Sequence, residues 1–338
     1  HAHALLPALS AAGSRDGHGL LLLLEDGAAA ELAVPETPLT ALWTDGLLGA
    51  AVGEGPNLAV WSAGGGWQVA ASPVTEPLLA AGAVDGRLRV VGARGAIYER
   101  LGEAWLPLEP GPLPQIQIGA VMRGAEAFAV SRTALRRWDG SAWSQVALPE
   151  KPALTLQAIG LAGSALVLAG ADADGSGWVL VEADGGFVVH QLWPETLRAV
   201  WGRSPDDLYA VAESGSVYAW DGTGWQNLRE GITADVASLA AFPGGEVFAA
   251  ANRCPDPDCL AGPTGVVLAR DSHGRFWEQE GPFTTRLRAI GGTSARDLWA
   301  VGDGTTVYRW QGETWSTLTA PGPLHSLAIC GDAVFAGG

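Results

Sequence analysis

Lysine is almost missing from this chain: among its 20 basic residues only Lys151 is not arginine, and methionine occurs once. Alanine, glycine and leucine fill the gap, a bias of high-GC bacterial coding rather than a binding device. Positive charge is scarce as a whole. Against 36 acidic residues it leaves a net charge of −16, which repels a phosphate backbone or an anionic bilayer. Nucleic acid and direct membrane insertion are therefore not expected. Long apolar runs are missing too: "GLLLLLEDG" falls far short of the roughly 20 residues of a membrane span. No basic stretch followed by an apolar one opens the chain, so an export signal is either removed or never existed. The start at His1 without Met reads as a processed or truncated product. Cysteine is limited to 3 residues. Cys254 and Cys259, in the Pro/Asp-rich "RCPDPDC", read as a local disulfide in an oxidising compartment, with Cys330 a buried thiol in a strand.

Helical periodicity is also lacking. Short runs of Val, Leu, Tyr and Trp alternate with Gly, Asp, Ser and Pro clusters, which is the rhythm of an all-β chain. Hydrophobic content of 48% over 338 residues supports a sizeable core. The organising feature is a repeat. "LRAVWGRSPDDLYAVAESGSVYAWDGTGWQNL", from Leu197, lies without a gap over "LRAIGGTSARDLWAVGDGTTVYRWQGETWSTL", from Leu287. Fainter copies follow when Trp67, Trp105, Trp143, Phe187, Trp225, Trp277 and Trp315 are used as a ruler, most steps being 38 residues. Longer steps coincide with "ADADGSG" and "NRCPDPDCLAGPTG", insertions of the kind that map to loops.

Each copy reads as four strands. In the copy from Leu197 these are "LRAVWG", "LYAVAES", "SVYAWDG" and "GWQNL", with Asp-Gly hairpin chemistry between the last two and the Ser and Asp of "SPDD" capping the first turn. Such units pack around an axis as blades of a β-propeller. One domain, 1–338, with eight four-stranded blades is expected, seven being the alternative. Seven blades fall near 38–72, 76–110, 115–149, 153–193, 197–230, 234–281 and 286–320. Residues 1–35 and 323–338 share the eighth, closing the ring by pairing the two ends of the chain. In that shared blade "LLPALSAAG" is an alternative second strand.

The pattern W-G-x-S-x-x-D-L-Y/W-A-V-x-x-x-G-x-V-Y-x-W-D/Q-G-x-x-W resembles repeats of secreted or lipid-anchored propeller proteins of myxobacteria and related bacteria. It differs from WD-type repeats, which carry a Gly-His pair, and from kelch repeats, with their recurrent diglycine. The resemblance implies export to the surface or periplasm of a Gram-negative bacterium. It implies no reaction, because a fold does not specify one.

Candidate sites are few. The repeated tryptophans read as packing between blades, whereas Trp43, Trp178, Trp193 and Trp201 stand outside the repeat position. Of these, Trp201 near the axis and Trp178 beside an insertion are the better prospects for exposed, sugar-stacking surfaces. His1 and His3 could hold Cu(II) with a free amine. Asp172 and Asp174, in "DADGSG", alternate as carboxylates of a Ca2+ loop do, although the downstream Glu is missing; an Asp-Gly turn explains them as well. No nucleophile elbow, H-E-x-x-H, P-loop or dinucleotide fingerprint is found. The expectation is a non-enzymatic, exported propeller that binds a protein partner without a cofactor; a propeller lectin and an N-terminal copper protein are the alternatives, and a lyase or hydrolase built across blades is the residual one.

Overall fold

The computed structural model describes residues 21–337 except for 26–27, 34–38, 45–46, 56, 63–64, 109–112, 150–152, 192–194, 229–233, 243, 255–261, 271–275 and 331–332. Within these the chain is all β, and its strands hydrogen-bond into six four-stranded sheets and one sheet of eight strands. The larger sheet is two four-stranded units joined by a single parallel bridge between Ala162 and Gly202. Inside each unit successive strands are antiparallel neighbours, as short links dictate. In the copy from Leu197 they run Leu197–Ser204, Asp207–Ala212, Val217–Trp220 and Trp225–Asn227. The chain ends meet in one sheet: Leu21–Glu25 pairs antiparallel with Ala333–Gly337, Leu22 opposite Ala336 and Leu24 opposite Val334. Ala28–Ala33 and Ser326–Cys330 flank that pair, so the sheet edges that would otherwise stay open are joined. The chain folds as a β-propeller. Residues 5–13, the alternative strand of the shared blade, lie outside the described residues.

The first strand of most units packs on the first strand of its neighbours, which places first strands around the axis and fourth strands at the rim. Antiparallel order then sorts the links. Turns between first and second strands lie on one face, the hairpin face. Second-to-third turns and the connectors between units lie on the other, the connector face. Both insertions fall in second-to-third links, between Ala171 and Gly177 and between Arg253 and Thr264, whose strand ends open on the connector face; residues 255–261 lie outside the described residues.

Tight turns follow the local chemistry. Gly140, Gly222 and Gly312 hold φ of 103°, 90° and 90° in the third hairpin of their units, where a side chain would be strained. Asp139 Oδ1 accepts from the backbone N–H of Ser141 and Ala142 at 2.8 and 2.9 Å. These bonds, Ala142's first, hold its carboxyl down at about 2. The last aspartate of "SPDD", Asp207, and its counterpart Asp297 bind arginines in place of the backbone amides expected. Asp207 pairs with Arg203, and Asp297 with Arg309 at 2.9 Å, while Ser294 Oγ accepts the Arg296 N–H at 3.3 Å.

The Trp pairs pack between units. Strand twist swings each third hairpin onto the preceding unit. Trp138, 1% exposed, sits with Val91 and Ile97 of the unit before it, and Trp143 Nε1 donates to Gly95 O at 2.8 Å. Trp220 and Trp225 enclose His190, with ring centroids 4.6 and 6.2 Å away, and Trp315 meets Phe283 edge-on at 5.0 Å. Trp277 breaks the pattern: it lies opposite Ala269 and is 49% exposed, while Phe276 beside it takes the buried place. The long insertion shifts the ruler by one residue there, and adjacent strand residues point to opposite faces.

Candidate functional site

The hairpin face is knitted shut by ion pairs. Arg123 binds Glu182 of the following unit, donates to Ser164 O at 2.9 Å and reaches Glu126 at 3.2 Å. Glu126 also accepts from Arg137 at 2.6 Å, and Glu99, nearly buried, accepts from Arg87 and Arg89 at 2.8 and 2.9 Å. The Arg87 hydrogen bond, opposed by burial and helped by Arg89, lowers the Glu99 pKa. Arg203 donates to Phe242 O of the next unit. Arg123 and Arg309 also lie over Phe128 and Trp299, 4.6 and 4.8 Å from the ring centroids, where a cation meets the negative ring face.

The connector face is organised by a recurrent bulge. In six units the first strand begins with a two-residue step in the ladder, between Leu39 and Ala41, Leu78 and Ala80, Leu156 and Ala158, Leu197 and Ala199, Val236 and Ser238, and Leu287 and Ala289. The flanking residues are small or apolar and nearly constant. The skipped residue varies: Thr40, Leu79, Gln157, Arg198, Ala237 and Arg288. A bulge removes one residue from pairing and re-aims its side chain, so this position is freed from the demands of the sheet at the inner edge of every unit that carries it.

Unmatched polar groups occur on both faces: indole nitrogens of Trp105, Trp138, Trp225 and Trp315 at the hairpin end, and side chains of other kinds here. Buried atoms without a hydrogen-bond partner among the described residues, the indoles aside, are Gln117 Oε1, Arg198 Nε, Gln279 Oε1, Thr285 Oγ1 and His325 Nδ1. All belong to first-strand starts, fourth-strand ends or connectors on this face. Elsewhere on it the matching is close. Asn252 donates to Leu287 O at 2.9 Å and accepts its N–H at 2.7 Å, Arg132 donates to Gln157 Oε1 at 2.8 Å, and Arg288 grips Asp303 through two bonds of 2.5 and 3.1 Å. His325 Nε2 lies 3.6 Å from the same Asp303. Burial, then Arg288, lowers the His325 pKa, and Asp303 opposes them. Ile116 and Ile118 stand 65% and 38% exposed on the connector beside buried Gln117.

The sequence-derived candidates are scattered rather than gathered. Trp201 is a correction to the expected exposure: it is buried, stacked on Tyr209 at 4.8 Å and part of the core shared with the unit of 235–279. Trp178 is half-buried against the core and donates its indole N–H to Asp172 Oδ2 at 2.9 Å; Trp43 is likewise packed and half-buried. Asp172 Oδ1 accepts the N–H groups of Asp174 and Ser176 at 3.0 and 2.9 Å. The Trp178 bond leads in lowering its pKa, and the loop's carboxylate thus folds the loop. Asp174 is exposed. No group of three His, Cys, Asp or Glu side chains suited to a metal occurs among the described residues. His1, His3, Trp193 and Cys259 lie outside the described residues. Cys254 is disulfide-bonded.

Residues that sequence reasoning passed over are Arg198, Arg286, Arg288, Thr285, Gln117 and His325. A signal was available: in L-x-A at the head of the repeat, x changes while its neighbours do not.

No protein-family model matches the chain, and no curated protein matches it. Among solved structures it is similar to YCF48 bound to D1 peptide, with a TM-score of 0.53 at 16% identity over 78% of this chain and 94% of that one. It is also similar to BamB from Moraxella catarrhalis, TM-score 0.54 and 13% identity over 88% and 98% of the two chains. The C-terminal WD40 domain of Sif2 gives a TM-score of 0.60 at 13% identity over 90% of each. At these identities the likeness concerns the propeller fold alone.

Proposed function

We propose that this protein is a non-enzymatic, eight-bladed propeller, one domain in extent, that holds a protein partner on its connector face. The observation that carries the reading is the asymmetry between faces. On the hairpin face most arginines and carboxylates pair with one another, whereas the connector face carries the strand ends of both insertions, the variable bulge residues and two isoleucines exposed side by side on one connector. Loops freed from packing are where recognition is placed on a rigid scaffold. The similar structures include a propeller bound to a peptide, which fits this use of the fold. An exported setting, at the cell surface or in the periplasm, is part of the proposal and is supported by the disulfide at Cys254. A glycan reading has less to stand on, because the rings of Trp201, Trp178 and Trp43 are engaged in packing.

The test is affinity capture from the producing cells with wild type, Ile116→Glu/Ile118→Glu on the connector face, and Arg296→Glu on the hairpin face. A stoichiometric protein should be recovered by wild type and Arg296→Glu and lost by the isoleucine variant. Recovery that depends on Arg296, or is indifferent to all three changes, overturns the proposal.

A further inference from the structure

We infer that Ile116 and Ile118, held between the turns that carry Arg94 and Arg132, form a docking ridge for a short apolar segment of the protein partner whose ends bear carboxylates; this rests on the interaction reading above. Six units open their first strand by burying an aliphatic side chain: Leu39, Leu78, Leu156, Leu197, Val236 and Leu287. The segment that leads into Gly119–Arg123 does the reverse. Gln117 is buried, and the isoleucines on either side of it stand in solvent. A slip of one residue would exchange their faces, and a segment that met only water would gain by it.

Hydrogen bonds hold the exposed phase instead. Leu113 N–H donates to Arg94 O at 2.6 Å and Gln117 N–H to Ala93 O at 2.7 Å, both in one turn, while Ile118 N–H donates to Val130 O of the next unit at 2.7 Å. Gln115 Oε1 accepts from Ser131 Oγ at 2.7 Å, and its Nε2 donates to Thr133 Oγ1 at 3.1 Å. Leu113 lies so close over Gly95 that a Cβ there would come within 2.5 Å of its Cγ. The segment is thus sewn to the turns of two units. Its isoleucines are presented by a fixed backbone, so little ordering remains to be lost on binding.

Charge selects what covers them. The two units from Leu78 to Val146 carry 8 arginines against 6 acidic residues, whereas the rest of the chain carries 12 basic residues against 30 acidic ones. The ridge therefore lies in a sector that attracts weakly acidic segments within a ring that otherwise repels them. Arg94 and Arg132 are exposed in the turns that hold it. Arg94 has Glu76 only at 3.8 Å, and Arg132 donates to Gln157 Oε1 at 2.8 Å and faces no carboxylate among the described residues. A guanidinium has five N–H donors, so each keeps capacity for a carboxylate from outside. Ridge-to-ridge contact with a second copy would set arginines against arginines in two molecules of net charge −16 each, which disfavours that occupant.

The test titrates the full chain against a fluorescein-labelled peptide with leucines and alanines at its centre and glutamates at both ends, read by anisotropy, beside a lysine-ended and a serine-centred counterpart. Saturable binding of the first peptide is expected, with affinity at least tenfold weaker for either counterpart, for Ile116→Ser/Ile118→Ser and for Arg94→Ala/Arg132→Ala, and unchanged for Arg296→Ala. All four substituted side chains of the ridge are exposed, so an unchanged Tm should accompany each loss. No saturable binding, equal affinity for the lysine-ended peptide, or a sedimenting dimer that Ile116→Ser/Ile118→Ser dissociates overturns the inference. Partner capture that survives Arg94→Ala/Arg132→Ala but not Ile116→Glu/Ile118→Glu overturns this inference alone and leaves the proposed function standing.

Discussion

The hairpin face and the connector face are made from the same repeat, yet they spend their polar residues differently. On the hairpin face Arg123, Arg203 and Arg309 reach acids at the head of second strands, and two of them also hold a carbonyl of the next unit. Two units are tied to the next one there, which suits a scaffold. On the connector face the first strand bulges near its start, and the skipped residue is left to vary. Rigidity on one side makes positional freedom on the other usable, because a recognition residue is only as well placed as the frame beneath it.

The frame can be broken selectively. Trp138→Ala removes a fully buried side chain packed between two units and should cost about 3 to 5 kcal/mol in chemical denaturation. Trp277→Ala, at the same ruler position but exposed, should stay within about 0.5 kcal/mol. Equal costs would refute the packing assignment. Asn252→Ala strips both bonds from the backbone of Leu287 and should cost about 2 to 4 kcal/mol, since two buried groups lose their partners.

Smaller effects sharpen the contrast by pH. Burial leads in lowering the pKa of both His190 and His325 from 6.5. The unfolded chain then binds more protons in that range, so their contribution is complete above 6.5 and declines as pH falls from there toward the folded values. Thermal melts from pH 7.5 to 5 should show a falling Tm, less steep in His325→Gln. An unchanged slope in that variant would remove His325 from the account. Gly222→Ala, at a φ of 90°, should cost about 1 kcal/mol. A neutral result would mean that the hairpin relaxes.

Much of this architecture was legible in the sequence because it is written in repeated residues. Trp138 with Trp143, Trp220 with Trp225 and Trp310 with Trp315 mark third hairpins, and Asp-Gly or Gln-Gly between them states the turn. "PLHSLAICGDAVFAGG" reads as two strands lacking two, and Ser326–Cys330 and Ala333–Gly337 complete the sheet of the N-terminal strands. The ruler slipped at Trp277, where an insertion changes which side of the strand a residue faces. Trp201 misled because distance from the repeat position was taken for exposure, while its ring had Tyr209 one strand away.

The most direct test of the central claim is photo-crosslinking in the producing cells, with a benzophenone amino acid placed singly at Ile116, Arg286, Arg296 and Asp206. Protein adducts of one common mass at Ile116 and Arg286, with none at Arg296 or Asp206, are the predicted result. Adducts confined to Arg296 and Asp206 would place recognition on the hairpin face and contradict the account.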